Sequence, residues 1–129
     1  MKELTKGEEQ LMQVLWEIRK GFVNDLLARM PEPKPAYNTV STIIRILEQK
    51  GFVSHKAYGR TYEYFPLISK KEYTRTYFRS FMTNYFDNSY KSLASFFTRE
   101  EKLSKEEMEE IRQMMDDAIA REQQKGGKL

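Results

Sequence analysis

Cysteine is absent from this chain of 129 residues, and histidine occurs once. No disulfide and no thiolate metal site can form, and one imidazole cannot build a His-rich zinc site, so neither a metal nor a cofactor is expected. Long apolar runs are also missing. No window approaches the roughly 18 apolar residues of a membrane span, and the charged N-terminus MKELTKGEEQ lacks the apolar centre of a signal peptide. A cytoplasmic protein without direct membrane insertion is the expectation. Enzyme signatures are lacking too: there is no Gly-rich phosphate loop, no HExxH and no nucleophile elbow. The acidic run Glu106, Glu107, Glu109 and Glu110 reads as the outer face of a helix rather than a paired-carboxylate site. The chain is not expected to be an enzyme.

Proline is scarce, with four residues, and three of them crowd into Pro31-Glu32-Pro33-Lys34-Pro35. That segment cannot be helical, because each ring removes a donor and restricts the residue before it. It reads as a stiff connector between helices. Ahead of it, Thr5 and Glu8 form a capping box opening a helix with Leu11, Met12, Val14, Leu15 and Ile18 on its buried face, ending near Lys20-Gly21. A short helix follows over about Asn24 to Met30, with Leu26, Leu27 and Met30 turned inward. Beyond the prolines, Asn38 is the expected N-cap of a third helix.

The stretch from Tyr37 to Phe65 carries the most information. Val40, Ile43, Ile44 and Leu47 recur at helical spacing, while Asn38, Ser41, Thr42, Arg45 and Gln49 fall on the other side. Lys50-Gly51 stops the helix with a cation in its last turn. Two β-rich runs follow, Phe52 to Lys56 and Thr61 to Phe65, joined through Tyr58-Gly59-Arg60. A helix with one apolar and one short polar face, joined to a basic hairpin, is the pattern of a winged helix-turn-helix. Its usual partner is double-stranded DNA. The net charge of +3 is concentrated accordingly: residues 34–75 hold 8 basic and 3 acidic side chains, the electrostatic footprint of a phosphate-binding face.

Within that pattern Asn38, Thr39, Ser41, Thr42 and Arg45 are the candidates for reading the major groove. For Asn38 and Thr39 a structural role stands beside base contact, Asn38 as a cap and Thr39 packing against the second helix. Arg45 can fork onto a guanine or neutralise a phosphate. His55, Lys56 and Arg60 are the candidates on the wing, suited to phosphate or minor-groove contact. No nucleophile or carboxylate constellation surrounds His55 in sequence, which argues against catalysis or metal binding there. An alternative reading is a winged-helix protein-interaction adaptor without specific DNA binding, but that needs a hydrophobic or acidic face where Ser41, Thr42 and Arg45 stand.

The C-terminal part is rich in large apolar side chains. Ser69 with Glu72 opens a helix running to about Asp87-Asn88 and carrying Tyr73, Tyr77, Phe78, Phe81, Tyr85 and Phe86. A shorter element holds Leu93, Phe96 and Phe97. Ser104 with Glu107 opens a last helix with Met108, Ile111, Met115 and Ile119 at three- and four-residue steps, and the tail Gln123 to Leu129 is expected to fray. So little chain cannot bury so many rings alone. Shared burial in a homodimer solves that, and DNA readers exploit two-fold symmetry to bind paired half-sites. Packing back onto the N-terminal domain is the other reading. The dimerisation candidates are Tyr77, Phe81, Tyr85, Phe86, Leu93, Phe96, Phe97, Met108, Ile111, Met115 and Ile119.

These residues resemble the BlaI/MecI/CopY penicillinase-repressor regulators. Leu4-Thr5, Glu8-Glu9 and Val14-Leu15-Trp16-Glu17 are similar to the family's opening helix, and Val23-Asn24-Asp25-Leu26-Leu27 to its second. Asn38-Thr39-Val40-Ser41-Thr42, Leu47 and Lys50-Gly51-Phe52-Val53 resemble its Thr-Thr-Val-x-Thr and Lys-Gly-hydrophobic signature. Arg60 and Tyr64-Phe65-Pro66-Leu67 look like the end of its wing, and Leu103-Ser104 with Glu106-Glu107 and Glu109-Glu110-Ile111 resembles its last helix. The resemblance implies a dimeric cytoplasmic repressor on a two-fold operator, controlling a resistance or stress operon. In antibiotic-responsive members it implies a membrane metalloprotease sensor and derepression by cleavage within the dimerisation domain.

Three departures qualify it. The family often has Thr-Arg-Leu late in the recognition helix, whereas here Arg45-Ile46-Leu47 moves the cation one position, about 100° around the helix. The cleavage region commonly shows Asn-Phe, but here the candidate is Ser95-Phe96-Phe97. The copper-responsive branch carries C-terminal cysteines that this chain lacks. The resulting fold expectation is mainly α with a small β-wing: a winged-helix DNA-binding domain over residues 1–68 and a helical dimerisation domain over residues 69–129.

Overall fold

The computed structural model describes residues 3–126, and the chain divides into two compact units, Met1–Phe81 and Met82–Leu129. In the first unit, helix α1 (Lys6–Ile18) begins at the expected capping box: Thr5 Oγ1 accepts the Glu8 amide at 3.2 Å, and Glu8 Oε1 accepts the Thr5 amide at 2.9 Å. The helix stops short of Lys20-Gly21, because Arg19 takes a positive φ of 74°. Helix α2 (Val23–Arg29) starts one turn later than the chain bend, with the Asp25 carboxylate accepting the Phe22 amide at 2.9 Å.

Helix α3 (Tyr37–Gln49) starts earlier than the sequence suggested. Its N-cap is Ala36, in extended conformation, whose carbonyl accepts the amides of Thr39 and Val40. Asn38 is therefore not the cap but a residue of the first turn. No side chain caps this end, so its first amides are left for solvent or a ligand. The other end follows the expected stop. Gly51 has φ 85°, its amide donates to the Glu48 carbonyl, and the Phe52 amide donates to the Leu47 carbonyl at 2.9 Å. This is a Schellman motif, and Phe52 and Leu47 complete it as fully buried neighbours of the core.

Phe52 thus belongs to the helix stop, and strand β1 (Val53–Tyr58) begins after it, pairing antiparallel with β2 (Thr61–Pro66). The strands reach further toward the tip than expected. Tyr58 pairs directly with Thr61, leaving a two-residue turn of Gly59 and Arg60. Positive φ falls on Gly59 (64°) and not on Arg60, the pattern of a type II′ turn. A short bridge adds a third edge to this hairpin: Gly21 and Tyr64 exchange both backbone hydrogen bonds, at 3.0 and 2.8 Å.

The core of this unit joins Leu11, Met12 and Leu15 of α1, Leu26 of α2, Val40, Ile44 and Leu47 of α3, and Phe52. Burying each such side chain contributes about 1.5–3 kcal/mol. Helix α4 (Lys70–Phe86) adds Tyr73 to that core, against Trp16 and Phe52 with ring centroids 5.8 Å away in each case. The Trp16 indole donates to the Ile68 carbonyl at 2.8 Å. These contacts tie α4 to the first unit, which reaches Phe81 and so takes in most of that helix.

In the second unit, α4 ends at left-handed Asp87 and Asn88 (φ 49° and 63°), with the Asn88 amide reaching back to the Met82 carbonyl. Ser89 caps α5 (Tyr90–Glu100), and Ser104 with Glu107 forms the capping box of α6 (Lys105–Gly126). Residues Gln123 to Gly126 are helical rather than frayed, and the rest of the expected tail lies outside the described residues. The architecture is mainly α with a small β-wing, and α1, α2, α3 and the hairpin form a winged helix-turn-helix.

Candidate nucleic-acid interface

Burial divides α3 cleanly. Val40, Ile44 and Leu47 face the core, whereas Tyr37, Asn38, Thr39, Thr42 and Arg45 are exposed and Ser41 is half-buried. The exposed polar side chains cluster in the first two turns, near the uncapped amides. Arg45 does not extend freely from this helix. Its Nε donates to the Ser41 carbonyl at 3.2 Å and its terminal nitrogen to Ser41 Oγ at 3.4 Å.

On the wing, Lys56 and Arg60 are exposed. The Lys56 ammonium lies 5.2 Å from the Tyr58 ring centroid, a cation–π contact that keeps the charge in solvent while anchoring its stem. Arg60 occupies the tip. His55 is placed differently, half-buried in the middle of β1. Its Nδ1 lies 2.6 Å from Glu48 Oε2, and its ring stacks on Tyr62 with centroids 4.0 Å apart and planes at 13°. His55 thus joins the wing to the far end of α3. Burial, reinforced by the charge of Glu48, pushes the phenol of neighbouring Tyr64 above its ordinary value of 10.0.

Three of the sequence-derived candidates, Ser41, Arg45 and Arg60, share the walls of a notch of about 290 Å³ with Asn24, Tyr37 and Tyr62. Asn38, Thr42 and Lys56 lie outside it, and Thr39 lines a separate cleft beside Pro31 and Pro33. Tyr37, Tyr62 and Glu48 were not singled out by the sequence reading. For Tyr62 the signal was present in its alternation with Tyr64, which puts both rings on one face of β2. For Glu48 nothing local marks a partner that comes from another element.

The apolar candidates fall on both units. Tyr77 and Phe81 lie in the first, where Tyr77 is exposed and Phe81 half-buried. In the second, Leu93, Phe97, Met108, Ile111 and Met115 line an apolar groove of about 410 Å³ between α5 and α6. Phe86 meets Phe96 edge-on at 5.7 Å. Tyr85 and Ile119 are exposed, as is Met114, which the sequence reading passed over. Ser95, Phe96 and Phe97 sit mid-helix in α5. Among the described residues no group of His, Cys, Asp or Glu is arranged to hold a metal, and no helix is long and apolar enough to cross a membrane.

Comparison with known proteins follows the same lines. The chain is 24% identical over 115 residues to the methicillin resistance regulatory protein MecI of Staphylococcus aureus strain N315, covering 88% of this chain and 94% of MecI. It is 23% identical over 116 residues to the penicillinase repressor of Bacillus licheniformis, covering 89% and 91%. The solved DNA-binding domain of the repressor BlaI aligns with 57% of this chain and 94% of its own, at 25% identity and a TM-score of 0.49. The family described as penicillinase repressor matches residues 4–117, from the first residues of α1's cap into α6. With that match spanning most of its length, the chain belongs to the penicillinase repressor family, whose members are transcriptional repressors and not enzymes.

Proposed function

We propose that this chain represses transcription as a cytoplasmic homodimer that places two α3 helices in successive major grooves of a two-fold DNA operator. The observation that carries the reading is the juxtaposition, in a member of a repressor family, of an exposed polar α3 N-terminus with a basic wing tip. Asn38, Thr39 and Thr42 are the base-reading candidates, and Lys56 and Arg60 contact the backbone. The winged helix binds DNA and the helical C-terminal part dimerises.

The second copy is supported by the unpaid burial in the second unit. Neither α5 nor α6 buries a residue completely, and Met114, Met115 and Ile119 are more than half exposed. Apolar patches of that kind mark interaction surfaces, and a two-fold copy covers identical grooves reciprocally. The regulated genes belong to a resistance or stress operon, and a membrane metalloprotease sensor relieves repression by cutting near Ser95 to Phe97.

Gel-shift titration against the chain's own promoter tests the core of this reading. Tight binding that weakens steeply with salt is expected. Equal affinity for scrambled duplex removes the specific operator, and no binding even at low salt favours a protein-interaction adaptor. Light scattering at micromolar concentration is expected to give the mass of two chains.

A further inference from the structure

The notch lies between α3 and the wing, the two elements that the operator reading sets on the duplex. We propose that it seats a single phosphodiester group of the duplex backbone, held between Arg45 and Arg60, so that Arg45 acts as a backbone clamp and not as a base reader. The proposal deepens the operator-binding reading and rests on it.

Topology gives the first argument. When α3 lies in the major groove and the wing tip points to the neighbouring minor groove, the structure separating them is the sugar–phosphate strand between the two grooves. The notch lies between these same two elements, since Tyr37, Ser41 and Arg45 come from α3 and Arg60 and Tyr62 from the hairpin. Whatever sits there is backbone.

Charge gives the second. Among the described residues Arg45 has no carboxylate partner; its hydrogen bonds go to Ser41 on its own helix. Those bonds hold the guanidinium back along α3 rather than outward to a base edge. Arg60 makes no hydrogen bond or ion pair among the described residues. The one carboxylate of α3, Glu48, is engaged by His55. Among the described residues no acidic side chain lines the notch. Two unneutralised guanidiniums facing one concave site match the charge and forked geometry of a phosphate.

The walls supply neutral donors. Tyr37 and Tyr62 are 49% and 44% exposed, and neither hydroxyl has a partner among the described residues. The stack on His55, itself fixed by Glu48, holds Tyr62 in place. At about 290 Å³ the notch is at the lower end of small-molecule pockets, which span roughly 300–1,000 Å³. It is open, as suits a piece of a polymer passing through it.

The test uses the full-length protein, its footprinted promoter duplex and a scrambled duplex of equal length. Arg45→Ala and Arg60→Ala are each expected to weaken both duplexes by the same factor and to lower the slope of log K against log salt by about one. Arg45→Lys should restore the slope while recovering only part of the affinity. Promoter duplexes with one neutral methylphosphonate at a time add a test on the wild-type protein. At one position per half-site the wild type should lose as much as Arg45→Ala does, and Arg45→Ala should lose nothing further. If Arg45→Ala instead collapses the ratio of promoter to scrambled affinity at unchanged slope, Arg45 reads a base and the clamp is overturned. Release of the promoter by millimolar inorganic phosphate, beyond that caused by chloride at equal ionic strength, assigns the notch to a free phosphate and overturns it too. Failure of the wild type to prefer its promoter overturns the operator reading instead, and the slopes on scrambled duplex still judge the clamp.

Discussion

Lys50 Nζ lies 2.6 Å from Glu8 Oε1 and 3.0 Å from Oε2, so the C-cap residue of α3 is tied to the first turn of α1. Glu8 is a buried charged residue beside the core, and the same carboxylate caps α1 through the Thr5 amide. Burial pushes its carboxyl up, but the hydrogen bonds from Lys50 and Thr5 outweigh that and leave it below the ordinary value of 4.5. One side chain therefore fixes both the start of α1 and the orientation of the end of α3.

Because the folded carboxyl ionises more readily than the unfolded one, its contribution to stability is complete above pH 4.5 and disappears as pH falls through the lower folded value. Glu8→Gln is expected to cost about 1–2 kcal/mol at pH 7. Urea titrations from pH 7 to pH 3 should show that difference closing in acid. A constant gap would place the effect in packing alone. Lys50→Met should cost about 2 kcal/mol, below the roughly 3–5 kcal/mol of a fully buried pair, since the Lys50 side chain is 21% exposed.

Gly51→Ala isolates backbone strain. A Cβ there meets nothing within 4 Å, yet φ is +85°. The substitution is expected to cost about 1–2 kcal/mol, and Gly51→Asn less, since Asn tolerates this region. Both should shift the urea midpoint without changing the slope. An unaffected midpoint for Gly51→Ala contradicts the Schellman geometry.

Much of this was legible because it is local. The capping residues Thr5 and Ser104, the Gly51 stop and the Val40-Ile44-Leu47 stripe each act within a turn or two of their own position. Asn38 shows the opposite case. Its side chain suits a cap, but Ala36 provides the capping carbonyl and α3 has already begun at Tyr37. The notch was illegible for another reason: Tyr37 and Tyr62 come to it from different elements, and nothing local shows that α3 and β2 share a wall there. His55 was read as a wing residue suited to phosphate or minor-groove contact, and nothing local showed that its ring nitrogen meets Glu48 of α3.

The groove of the second unit gives a direct test of the second copy. Met115 lines it opposite Leu93 and Phe97 while remaining 58% exposed. Met115→Glu puts a charge where the partner's apolar side chains are expected, and burying an unpaired carboxylate is costly. Light scattering should show a single chain where the wild type shows two, and promoter affinity should fall because two half-sites no longer bind as one ligand. An unchanged mass would move the interface away from this groove.

Cleavage near Ser95 to Phe97 has a structural prerequisite. These residues are mid-helix in α5, and Thr98 Oγ1 further ties down the carbonyls of Ala94 and Ser95 at 2.8 and 3.1 Å. A protease needs extended chain, so α5 must open locally before it can be cut. The stability of α5 then sets the cleavage rate whenever opening and closing are faster than cutting. Ser89 Oγ accepts the Ser92 amide at 3.1 Å and caps the helix. Ser89→Ala should cost about 1 kcal/mol of local stability, which raises the open fraction about fivefold. Limited digestion with a nonspecific protease should therefore yield fragments ending near Ser95–Phe97 about fivefold faster than wild type. Equal rates in the two proteins would mean that α5 opening does not limit access to this segment.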